Sequence, residues 1–366
     1  RLAMSNGHLH GTVELYDEDR TADIKVGSYS LPLESDPSAA LAYRLEGAPI
    51  WDFELAGFRR GDFSFLGVGQ NSNSGLFMLH PYHPHMIPVV FVHGTASSPA
   101  RWAEMVNELL GDPAIASRYQ LWFFLYNSGN PIALSAMRLR ESLIAVRKDV
   151  APDGKDPALN EMVVIGHSQG GLLTKMTVVD SGNRFWNNIT NVPFDKADLD
   201  PETHDLVARA LFVKPLPFVN EVIFIATPHR GSFLASNPIA KLGNKFINLP
   251  GGLAKSAIQL GKLREPSMLR APITIPTALD NMDALNPFIK TLSSLPIAPG
   301  VHAHSIIPVK GDGPIEDGDD GVVEYKSAHI DGVESEMVVR SGHSTQSTPQ
   351  TIEEVRRILY EHAGIH

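Results

Sequence analysis

Two regimes of apolar spacing divide the chain near residue 86. Upstream, short alternations of apolar and polar residues, such as Thr12, Val13, Glu14, Leu15, Tyr16 and then Asp23, Ile24, Lys25, Val26, are separated by Gly, Pro, Asn and Asp. A period of two bounded by turn residues predicts antiparallel strands. Residues 1–50 therefore read as a β-rich N-terminal extension, and segments 52–58 and 75–79 as a pair of strands leading into a main sheet. The connection that follows carries His80, His83 and His85 interleaved with Pro81 and Pro84. The fixed dihedrals of proline favour a rigid connector there over a metal site.

From Met86 onward, runs of consecutive apolar residues alternate with helical stripes. Strands are predicted at 89–92, 121–126, 162–165, 222–226, 305–309 and 337–339. Unbroken apolar runs fit strands covered on both faces, and their alternation with helices predicts an α/β fold with a mostly parallel central sheet flanked by helices. Trp102, Met105, Val106 and Leu109 recur at helical spacing after Ser98-Pro99, with Gly111 placed to end the helix. Leu172, Leu173, Met176 and Val179 form a second stripe, expected to close near Gly182, and Thr348-Pro349 opens a last helix bearing Ile352, Val355 and Leu359.

Two segments interrupt this alternation within a domain read as 51–366. One is a smaller insertion at 183–218. The other, 232–303, carries apolar stripes (Ile239, Leu242, Phe246, then Leu253, Leu260, Leu263) broken by Pro250-Gly251-Gly252. An insertion of that length late in an α/β chain predicts a helical cap, or lid, over a site, with apolar faces suited to a hydrophobic pocket.

With 366 residues and 43% hydrophobic content, the chain can bury a large core. A net charge of -10 with no Lys- or Arg-rich run argues against nucleic acid or an anionic membrane surface as the main partner. The lack of cysteine removes disulfides, thiolate zinc sites and a cysteine nucleophile. No apolar run approaches the ~18 residues of a membrane-spanning helix. The chain begins at Arg1 rather than Met, the start expected of a processed or truncated product.

The chemistry concentrates around residues 162–171, Met-Val-Val-Ile-Gly-His-Ser-Gln-Gly-Gly. An apolar run followed by Gly166, His167, Ser168, Gln169 and Gly170 predicts a strand, a strained turn and a helix start, with Ser168 at the apex. A serine hydroxyl is a weak nucleophile at neutral pH, so it needs a base beside it, a carboxylate behind the base and donors for an oxyanion. Asp320, in the loop after strand 305–309, is placed to be the acid, with Asp319 a competitor one residue earlier. Asp312 and Asp317 could instead decorate a cation-binding loop. His343, in a small-residue turn after strand 337–339, is placed to be the base. Of the 15 histidines, His302 and His304 precede the acid, His329 follows it too soon, and His362 and His366 lie in or beyond the last helix. Oxyanion donors are expected from the backbone amides of Gln169 and Thr95, the latter in the loop opened by Gly94. Thr227-Pro228-His229-Arg230-Gly231 should form a wall of the pocket, with no acid–base role left for His229.

With these residues in place the chain resembles the α/β-hydrolase superfamily, in particular bacterial lipase- and esterase-like members related to the glycosylphosphatidylinositol-deacylase and lipase group. The resemblance rests on residues 88–95, 166–171, 226–232, 320–323 and 341–344, in that order. Glu324 stands where a proline commonly follows Asp-Gly-Val-Val in that family, but the downstream Ser327 matches and favours Asp320 over Asp319. The resemblance implies carboxylic ester hydrolysis through an acyl-enzyme, without metal or organic cofactor, on a small-molecule or lipid ester, short- to medium-chain esters by default and longer lipids if the cap opens at an interface. It also implies export to the cell envelope, periplasm or medium. Thioester hydrolysis, amide hydrolysis, acyl transfer and polyester hydrolysis use the same machinery. A reading from another class is an envelope protein that binds through its N-terminal region.

Overall fold

The computed structural model describes residues 2–14, 16, 23–33, 74–233, 251–263 and 276–365. Two small antiparallel hairpins come first, β1 (Leu2–Ser5) with β2 (His8–Gly11) and β3 (Asp23–Val26) with β4 (Tyr29–Pro32). The strand expected at 12–16 is displaced: the ladder ends at Gly11, which faces Leu2, and residues 12–14 lie outside any strand. Asn6 and Gly7, both at positive φ, supply the tight turn that fixes this register. Leu15 and segment 52–58 lie outside the described residues.

The main sheet contains β5 (Ser74–Met78), β6 (Ile87–Val92), β7 (Tyr119–Tyr126), β8 (Met162–His167), β9 (Val219–Ile225), β10 (His302–Pro308) and β11 (Ser335–Val339), in the spatial order β11-β10-β9-β8-β6-β7-β5. Every pairing is parallel except that of β5 with β7 at the edge. β8 begins at Met162 as expected, whereas β6, β7, β9, β10 and β11 begin earlier than the apolar run alone suggests, because residues such as Tyr119, Val219 and Ser335 already pair; at the other end β9 stops at Ile225, since Ala226 turns to φ +51°, and β10 at Pro308.

Alternate residues of each strand enter opposite cores, as a two-residue period demands. Val90, Trp122, Phe124, Val164 and Phe224 face one cluster, and Val89, Phe91, Phe123, Ile165 and Ile223 the other. The second face is closed by α1 (Ala103–Leu110), through Met105, Val106 and Leu109, and by the last helix, Pro349–His362. Ser98 caps the turn before α1 by accepting from Ala100 N at 3.3 Å, and Gly111 ends the helix. The first face is closed by α2 (Ile132–Val150) and α3 (Gln169–Lys175). α3 ends at Lys175, well short of Gly182. Beyond it Thr177 and Val178 make i to i−3 bonds to Thr174 and Lys175, and Val179 leaves the helix for a bridge with Ile297. The β-branched run 177–179 suits that extended exit better than a further turn of helix.

Segment 183–218 contains short helical turns and α4 (Pro201–Leu211), capped by Asp200. In segment 232–303, Gly251 and Gly252 open a helix, Gly251–Lys262, rather than interrupting one. From Ala278 onward the segment is built into the main core: Ala278, Met282, Ile289, Leu292 and Leu295 are all buried there. Asn281 Oδ1 accepts from Ile132 N at 3.0 Å and ties this stretch to the start of α2.

Candidate active site

The topology sets where a site can form. The chain passes from β6 outward to β7, then returns to β8 on the other side of β6. Loops leaving β6 and β8 therefore diverge to opposite faces, and a crevice opens beyond their C-terminal ends. The residues following these strands, Thr95 and Ser168, meet at that crevice.

Ser168 sits between β8 and α3 with φ 54° and ψ -125°. A non-glycine residue held there costs on the order of 1–3 kcal/mol. The turn persists because its surroundings fix it: Ser168 N donates to Ile225 O at 2.8 Å, and Gly171 N returns to Ser168 O at 3.0 Å. Gly166 and Gly170 are required by space. A Cβ on Gly166 would stand 2.5 Å from Gly171 N and Thr174 Oγ1, and one on Gly170 would collide with the Val92 carbonyl.

His343, in the loop after β11, lies between the serine and an acid. Its Nε2 is 2.9 Å from Ser168 Oγ and its Nδ1 2.7 Å from Asp320 Oδ2. Asp320 is buried, and its Oδ1 accepts from the amides of Val322 and Val323, both at 2.8 Å. Those donors aim its other oxygen at the imidazole, so Nδ1 carries the proton and Nε2 is left to accept from the serine hydroxyl. Asp319 is turned away: its Oδ1 accepts from Gly321 N at 2.7 Å, closing the turn. Asp317 pairs with Lys326 at 2.8 Å. Of the other histidines weighed, His302 is engaged with Glu334, His304 with Glu221, His329 with Glu336, and His362 with Tyr119 and Asn220, and His366 lies outside the described residues.

Across the crevice, Thr95 and Gln169 come together. Among the described residues neither backbone N–H has an acceptor. The two residues are joined through their side chains, Thr95 Oγ1 donating to Gln169 Oε1 at 2.6 Å and Gln169 Nε2 to Ser128 O at 3.1 Å. Ser128 Oγ accepts from Ala96 N at 3.0 Å, holding Ala96 at φ +47°. Ser128 gave no sign in the sequence, because it follows β7 and only the folded sheet brings it here.

Two buried histidines frame the site without touching Ser168 Oγ. His167 Nε2 donates to the backbone carbonyl of His343 at 2.9 Å; burial, with the nearby His343, lowers its pKa to about 3. His93 stacks on Tyr126 at 4.4 Å, with Nδ1 on Gly94 O and Nε2 accepting from Tyr126 N; burial lowers its pKa to about 4. Both are neutral at pH 7 and serve as fixed hydrogen-bonding struts. His229 is likewise buried, packed edge-on against Phe224 at 4.8 Å.

No protein-family model and no curated protein sequence matches the chain. Among solved structures it is similar to the mature form of the lipase BlEst2 of Bacillus licheniformis, at 17% identity and a TM-score of 0.44, covering 78% of this chain and 97% of that one. It is also similar to EstA of Clostridium botulinum, at 14% identity and 0.43, covering 77% and 88%. A third similarity is to the esterase Est2 of Thermogutta terrifontis, at 16% identity and 0.40, covering 80% and 89%.

Proposed function

We propose that this chain is a serine hydrolase of the α/β-hydrolase superfamily that cleaves carboxylic esters. The observation that carries the reading is the unbroken line from Ser168 Oγ through His343 to Asp320, at 2.9 and 2.7 Å, beside two backbone amides that have no acceptor among the described residues.

In this reading Ser168 Oγ attacks the ester carbonyl while His343 Nε2 takes its proton, and the amides of Thr95 and Gln169 hold the developing oxyanion. His343 then passes the proton to the departing alcohol, leaving an acyl group on Ser168. Water, deprotonated by His343, attacks that ester, and the proton returns to Ser168 as the acid leaves. Asp320 keeps the imidazole in the Nδ1–H tautomer and offsets its charge in both halves. Short- to medium-chain acyl groups are the preferred substrates.

Initial rates on p-nitrophenyl esters of increasing acyl length, with and without an emulsified interface, test this reading. Turnover that peaks at short or medium length, does not require the interface and is abolished in Ser168→Ala supports it. Full turnover by Ser168→Ala would sink it.

A further inference from the structure

A second polar cavity lies at the far end of the helix that begins with Gln169. Lys175 closes α3, about 9 Å of helix rise from Gln169 at ~1.5 Å per residue. Beside it a cavity of about 190 Å³ is lined by Lys175, His229, Arg230, Leu295, Ile297 and Ile330, and Ser168, Asp320 and His343 take no part in its wall.

Two of its buried polar groups are short of partners among the described residues. Lys175 is 2% exposed, and its ammonium donates once, to Ser293 O at 3.2 Å. No carboxylate among the described residues pairs with it. Asp331, on the same wall, is 92% exposed and turned to His329. His229 is 1% exposed, and neither ring nitrogen has a hydrogen-bond partner among the described residues. Arg230 spends its guanidinium on the carbonyls of Lys326 and His329.

Burying a cation without a counter-ion is costly, and so is burying a donor or acceptor with its bond unmade. The C-terminal end of α3 offsets part of the lysine's cost but does nothing for His229. Burial lowers the Lys175 pKa only to about 8, so it stays mostly protonated at pH 7. Burial, with the Lys175 and Arg230 charges, keeps His229 neutral, with one N–H to give. The cavity thus offers one fixed positive charge, one neutral donor and an apolar wall.

We propose that this cavity binds a small monocarboxylate, its oxygens between the Lys175 ammonium and a ring N–H of His229 and its hydrocarbon tail against Leu295, Ile297 and Ile330. One buried cation matches a monoanion better than a phosphate dianion, and the apolar wall has nothing to offer the outer oxygens of phosphate. A water occupies about 30 Å³, so the space admits a molecule of several heavy atoms.

The inference stands apart from the chemistry at Ser168 and is tested without turnover. Sodium butyrate and inorganic phosphate are titrated calorimetrically into the full chain at pH 7 and constant ionic strength, and the ring nitrogens of His229 are followed by NMR, assigned through His229→Gln. The expected result is saturable butyrate binding that shifts the His229 signals, weakened at least tenfold in Lys175→Met and severalfold in His229→Gln, with phosphate binding at least tenfold more weakly. Absence of butyrate binding, unmoved His229 signals, equal affinity in His229→Gln, or phosphate binding as tightly as butyrate each overturns it. If Lys175→Met does not fold, the wild-type titrations and His229→Gln still decide.

Discussion

The hydroxyl of Thr95 donates to the side-chain carbonyl of Gln169 at 2.6 Å, joining the loop after β6 to the first residue of α3. The two amides assigned to the oxyanion belong to these same residues, so this bond sets their separation. Thr95→Val removes the donor while keeping the shape. Its expected effect is a fall in kcat of about tenfold to a hundredfold with KM little changed, below the ~10²–10³ lost with an oxyanion donor itself. Thr95→Ser restores the bond and most of the rate. Steady-state kinetics on one ester across the three proteins checks it.

The two neighbouring aspartates should separate sharply. Asp320→Asn leaves His343 with the wrong tautomer, and kcat is expected to fall by about 10⁴. Asp319→Asn touches only the turn bond to Gly321 N, so kcat stays within a few fold, with a stability loss of about 1 kcal/mol. The reverse ranking in the same assay would reassign the acid.

Strain at Ser168 is measurable. Ser168→Gly and Ser168→Ala remove the same hydroxyl, but only glycine accepts φ 54° without a Cβ penalty. The glycine variant should be the more stable by about 1 kcal/mol, the strain of ~1–3 kcal/mol less the added chain entropy of glycine. Urea denaturation midpoints of the two variants give the difference.

Acid should destabilise the fold through its buried histidines. The folded-state pKa values of His93 and His362 are lowered by burial to about 4, and that of His167 to about 3, all below the ordinary 6.5. Below pH ~6.5 the unfolded chain binds protons that the folded chain does not, so their contribution is whole above that pH and falls as pH drops towards the folded values. The slope reaches at most about 1.4 kcal/mol per pH unit for each group. The His302–Glu334 pair, with a raised histidine pKa, acts in the opposite sense but is half exposed and screened. Urea denaturation between pH 7.5 and 5 should show steadily falling stability, and His167→Gln, which keeps a donor without titrating, should flatten the fall.

Much of the sheet, and the residues that come together around Ser168, could be read from the chain because both are written locally. Unbroken apolar runs mark strands buried on both faces, and the crowding at Gly166 and Gly170 leaves a local signature around Ser168. The end of α3 was hidden, because Met176 and Val179 continue the apolar spacing and only the bridge of Val179 to Ile297 pulls the chain out of helix. The hairpin register at Gly11 depends on Asn6-Gly7, a turn signal outweighed by the alternation at 12–16. Burial of Lys175 was hidden too, although its i, i+3 spacing from Leu172 placed it beside the apolar stripe. Ser128 carried no signal, since its role exists only where β7, β6 and β8 lie side by side.

In the proposed reaction Ser168 is a nucleophile activated by His343. Labelling with a fluorophosphonate probe, followed by peptide mapping, tests it most directly. One adduct is expected, on Ser168, absent in Ser168→Ala and formed at least a hundredfold more slowly in His343→Ala. An adduct on another residue, or undiminished labelling of Ser168→Ala, would contradict it.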